Sequence, residues 1–101
     1  MAVSDTKTKT DLAPSERALL PNGDVIVKRL DQAAVLLHIP SNRIFELNET
    51  GVRVWELIGE NLDPDHIARQ LVDEFDVEYA VAVDEVKNLI ARLWTEGLLE
   101  P

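Results

Sequence analysis

The chain has 101 residues, of which 46% are apolar and 29% charged, with no cysteine and a formal net charge of −9. That length suits one domain around one core, and the missing cysteines exclude a disulfide framework, a thiolate nucleophile and a cysteine-ligated zinc or iron–sulfur site. The acidic balance argues against a phosphate-backbone partner, whose binding needs a basic face from which counterions are released.

The charge is unevenly placed. Residues 1–22 hold three acids (Asp5, Asp11, Glu16) and three bases (Lys7, Lys9, Arg17), so the whole excess falls on residues 23–101. Between Glu56 and Glu85 there are ten acids and a single base, Arg69. Such a surface repels nucleic acid. The apolar run Ala33–Leu37 is far too short to cross a bilayer, and Met1–Asp11 has no apolar core of a signal peptide. No membrane partner and a cytoplasmic location are the expectation.

Residues 1–22 read as a flexible lead-in, polar and interrupted by Pro14 and Pro21, with a helical turn at Ser15–Leu20. Asn22-Gly23 is a turn signal, and the folded domain is expected over residues 23–101. Three strands follow. Val25–Leu30 opens with β-branched residues, Val35–Ile39 is apolar apart from His38, and Arg43–Leu47 alternates. The short links Asp31-Gln32 and Pro40-Ser41-Asn42 make two successive hairpins the economical topology. In the third strand Phe45 and Leu47 face one way, Ile44 and Glu46 the other.

Helical spacing takes over at Asn48, a good N-cap ahead of Glu49, with Val52, Trp55 and Ile58 on one stripe and Gly59 expected to stop the helix. Asp63-Pro64 opens a second helix, with the stripe Ile67, Leu71, Val72 and Phe75. A third carries Val86, Leu89, Ile90 and Leu93, starts between Glu78 and Val83, and ends at Gly97. Strands first and helices after define an α+β chain, a three-stranded antiparallel sheet followed by three helices in a winged helix-turn-helix-like arrangement.

Ile44-Phe45-Glu46-Leu47-Asn48-Glu49-Thr50-Gly51, Trp55 in the next helix and the closing Trp94-Thr95-Glu96-Gly97-Leu98-Leu99 together resemble the signature of PqqD-like proteins. The likeness runs over roughly residues 25–100. The motif has its own physical meaning: a buried Leu ends the strand, Asn caps the helix, and Glu meets its dipole. Function comes only from the resemblance. It implies a peptide chaperone that binds the leader segment of a ribosomally made precursor peptide, in pyrroloquinoline quinone or related biosynthesis. A radical-SAM protein or a leader peptidase would then act on that peptide. The leader is expected as an extra antiparallel strand beside the third strand, in a groove walled by the third helix.

On that reading the strand edge is Arg43, Ile44, Phe45, Glu46 and Leu47, which gains backbone bonds from an added strand. The groove wall is expected on the third helix at Val83, Lys87, Ala91 and Trp94, one flank of the core stripe by a rotation of about 100° per residue. Structural readings stand beside these: Trp94 and Trp55 as core aromatics, Lys87 and Arg92 as solvated charges, Arg43 as a guard against edge-to-edge aggregation. His38 and His66 read as packed or solvated side chains. Asp63 and Asp65 suit a helix N-terminus better than a metal site. No catalytic residue, metal or cofactor is expected, and the chain is not read as an enzyme. The competing readings are a winged-helix DNA-binding regulator, against which the charge argues, and a purely structural or dimerisation module.

Overall fold

A computed structural model describes residues 18–101. A two-residue strand β1 (Leu20–Pro21) precedes β2 (Val25–Leu30), β3 (Ala33–His38) and β4 (Arg43–Leu47). Helices α1 (Glu49–Gly59), α2 (Pro64–Glu74) and α3 (Tyr79–Thr95) follow, and β5 (Leu99–Glu100) closes the chain. β2, β3 and β4 form an antiparallel meander in that order, so β4 is an edge strand. The two hairpin links turn at Asp31 (φ 56°) and Asn42 (φ 58°), residue types that tolerate the left-handed region.

Register fixes which side chains meet the helices. Ala34 pairs with Leu47, and Leu36 with Val27 and Phe45. Because side chains alternate, these residues share the inner face, where Ala34, Leu36 and Leu47 are buried. Val52, Val54, Trp55, Leu57 and Ile58 of α1 are buried with them in one core that also takes in Ile67, Leu71, Val86, Ile90 and Leu93.

The joint between sheet and helices is tight for a stated reason. The Asn48 side-chain oxygen accepts the Gly51 N–H at 2.8 Å, capping α1. A Cβ on Gly51 would lie 3.1 Å from Leu47 Cδ2 and 3.3 Å from Asn48 Oδ1. Glycine there lets the first turn of α1 close onto the end of β4. Asp63 caps α2 in the same way, accepting the His66 N–H at 2.8 Å, with Pro64 inside the first turn.

Several expectations shift. β3 covers Ala33–His38 rather than Val35–Ile39, because Ala33 pairs with Leu30 across the tight Asp31-Gln32 turn. Gly59 does not stop α1. The helix includes it and caps at Glu60, and Asn61 (φ 62°) provides the left-handed residue. α3 begins at Tyr79, inside the expected interval, and Gly97 (φ 80°) follows its cap. The helical turn expected at Ser15–Leu20 falls partly outside the described residues. Leu20 is in β1, paired with Glu100, while Leu19 is buried. Residues 18–22 of the expected lead-in are therefore joined to the domain, and residues 1–17 lie outside the described part.

Ion pairs lace the helices on the outside. Arg53 of α1 grips Glu74 of α2 through two nitrogens, at 2.7 and 2.8 Å, which holds the Glu74 carboxyl below the ordinary range. The His66 backbone N–H does the same for Asp63. Carboxyls depressed in the folded state stabilise it above their unfolded pKa and lose that contribution as pH falls through the folded value. Both groups are partly solvated, so each contributes well under about 1 kcal/mol. Urea unfolding should therefore give constant stability from pH 7 down to about pH 5 and a modest decline below about pH 4. Glu74→Gln should shrink that decline; stability that rose on acidification would contradict the assignment.

Candidate functional site

Among the described residues nothing pairs with the outer edge of β4. The Ile39 N–H donates to the Asp24 carbonyl at 3.1 Å, which sets the alternation of the ladder. Odd-numbered residues of β3 consequently bond to β2, and Ala34, Leu36 and His38 bond to Leu47, Phe45 and Arg43. Ile44 and Glu46 are left with N–H and C=O pointing away from the sheet. Both residues are exposed.

Beside that edge lies a groove of about 760 Å³. α3 packs closely on α2 and on β5, whereas β4 is not among its close backbone neighbours, and the gap between them is the groove. Phe45, Glu46 and Leu47 form the strand side, Thr50 and Gly51 the end at the cap of α1, and Glu85, Asn88, Leu89 and Arg92 the helix side. The Arg92 guanidinium stands over the Phe45 ring, 5.1 Å from its centroid, a cation–π contact that places a positive charge at the groove. Arg43, at the start of β4, pairs with Glu96 at the C-cap of α3 and ties strand to helix at that end. β4 and α3 therefore run antiparallel along the groove, with Arg43 beside Glu96 and Leu47 towards Glu85.

Of the nine residues singled out from sequence, the five on β4 lie on the edge strand, and Phe45, Glu46 and Leu47 among them line the groove. The four on α3 do not share the groove with them. Val83 and Trp94 are half-buried and pack against the core, and Lys87 and Ala91 are exposed, none of them among the groove-lining residues. At about 100° per residue a helix has a flank on each side of its core stripe. Glu85, Asn88, Leu89 and Arg92 lie on one side of Ala82, Val86, Ile90 and Leu93, and Val83, Lys87, Ala91 and Trp94 on the other. Val83 and Trp94 pack against the core on the flank away from the groove. Arg92, read as a solvated charge, and Leu89, read as core, belong to the groove.

Among the described residues no group of three or more His, Asp or Glu side chains is placed to hold a metal ion, and no helix is long and apolar enough to cross a membrane. His38 is half-buried with Nδ1 2.7 Å from Ser41 Oγ, and exposed His66 is paired with Asp63.

Fold and groove together define a winged helix-turn-helix-like α+β domain whose last helix faces a sheet edge that no described residue pairs. The chain belongs to the family described as coenzyme PQQ synthesis protein D (PqqD), whose model matches residues 33–99. No curated protein matches it. Two solved structures share the architecture. TbiB1 in complex with the TbiA(beta) leader peptide is 26% identical, with 80% of this chain and 94% of that chain covered at a TM-score of 0.74. A lasso peptide synthetase B1 complexed with the leader peptide is 24% identical, with 83% and 99% covered at a TM-score of 0.75.

Proposed function

We propose that this chain binds the leader segment of a ribosomally made precursor peptide as an added antiparallel strand along β4, and holds that peptide for a modifying enzyme. The observation that carries the reading is the edge at Ile44 and Glu46, unpaired among the described residues, opening onto the groove under α3. Membership of the PqqD family and the two leader-peptide complexes among similar structures support it. The chain acts by binding rather than by catalysis, and a radical-SAM protein or a leader peptidase is the class of enzyme expected to receive the peptide.

Backbone pairing supplies affinity with little demand on sequence, and the groove supplies selectivity. An added strand turns alternate side chains inward, against Phe45, Leu47 and Leu89, where apolar groups lose water. Arg92 offers an acidic leader residue a partner, and Glu85 a basic one. Calorimetric titration with the leader of a precursor peptide, sought among the neighbouring reading frames, should give one peptide per chain, with a dissociation constant of about 1 μM or tighter. Absence of binding at about 100 μM would remove the proposal.

A further inference from the structure

The sheet has a second face, turned away from the helices, and it is apolar. Ile26, Leu30, Val35, Leu37, Ile39 and Ile44 lie on it by register. Ile26 is 52%, Leu30 48%, Ile39 54% and Ile44 67% exposed. A solvent-facing side of an antiparallel sheet is ordinarily polar, and within these strands Lys28 and Glu46 alone are polar here. Neither has an ion-pair partner among the described residues.

We propose that this face is the interface of a symmetric dimer, with the two-fold axis running along β3. The charges and the register choose that occupant. Lys28, Val35 and Glu46 form one row across the sheet, and Ile26, Leu37 and Ile44 the next. A two-fold axis parallel to β3, midway between two sheets stacked about 10 Å apart, lays β2 of one copy over β4 of the other and keeps each row facing itself. Lys28 of each copy then meets Glu46 of its partner, twice by symmetry. Val35 meets Val35, Leu37 meets Leu37, and Ile26 meets Ile44. An axis across the strands would place β2 over β2 and β4 over β4, bringing no lysine to a glutamate. The face matches itself in one orientation.

Three short strands offer less than the roughly 800 Å² per partner of a standard interface, so the dimer is expected to be weak, with a dissociation constant of about tens of micromolar. The backbone edge of β4 is not covered by the partner in this arrangement, although Leu30, Val35 and Glu46 of this face also line the groove, and the inference does not depend on the peptide-binding reading.

Sedimentation velocity of the full chain across a concentration series tests it. The unmodified chain should move from monomer to dimer. Lys28→Glu and Glu46→Lys, both at exposed positions, should each raise the dissociation constant about tenfold by setting like charges opposite each other. The double variant should return it close to the starting value. A chain that stays monomeric at about 200 μM, or a double variant as weak as the singles, overturns the proposal. So does a monomer whose outer-face variants instead lose binding to the peptide-processing enzyme, which would make that enzyme the occupant.

Discussion

Glu46→Pro should abolish most leader binding while leaving the domain folded. The Glu46 N–H points out of the sheet, so proline removes no ladder bond within the monomer, and edge positions of this kind accept it. What it removes is a donor to the incoming strand, and its ring stands where that strand must approach. A loss of at least about tenfold in affinity is expected, with a small change in melting temperature. Glu46→Ala keeps the N–H and should bind nearly as the natural chain does. Phe45→Pro, one residue earlier, deletes a bond to Leu36 and should cost about 3 kcal/mol or more of stability. The contrast between neighbouring residues separates edge pairing from damage to the fold, by calorimetry for binding and circular dichroism for melting.

Leu36→Ala should give the largest loss of stability. Leu36 is wholly buried at the centre of the inner face, between Val27 and Phe45 on the flanking strands. Truncation removes the transfer energy of its missing carbons and leaves a cavity beneath α1, about 2–5 kcal/mol in all. For a domain of this size that is a large share of the folding free energy and a fall in melting temperature of well over about 10 °C. Val81→Ala, at an exposed position in the first turn of α3, should change stability by less than about 0.5 kcal/mol. Equal effects at the two positions, read by chemical denaturation, would contradict the core described here.

Leu47-Asn48 was legible in the sequence because its parts are local. A strand alternating in twos, a capping side chain and a helix repeating near every fourth residue all leave marks within a few positions of one another. β2 came out with its bounds intact for the same reason. β1 and β5 left no such mark: two residues carry no period, and their pairing brings Leu20 to Glu100 across the whole domain. Asn61, not Gly59, supplies the left-handed residue after α1, because Asn also tolerates that conformation.

The groove was half legible. Its strand side follows from the strand's being last in a meander. Its helix side depends on how α3 leans against α2 and the sheet, which periodicity does not encode. Spacing gives a helix its stripe and two flanks, and tertiary packing chooses between them. Here it covered the apolar flank at Val83 and Trp94 and turned Glu85, Asn88 and Arg92 towards the strand edge.

Amide hydrogen exchange on the leader-bound chain addresses the pairing itself. The backbone N–H groups of Ile44 and Glu46 should become protected by about tenfold or more once the peptide is present, while that of Phe45, already bonded within the sheet, changes little. Protection confined to α2, or an unchanged rate at both residues under saturating peptide, would contradict the account.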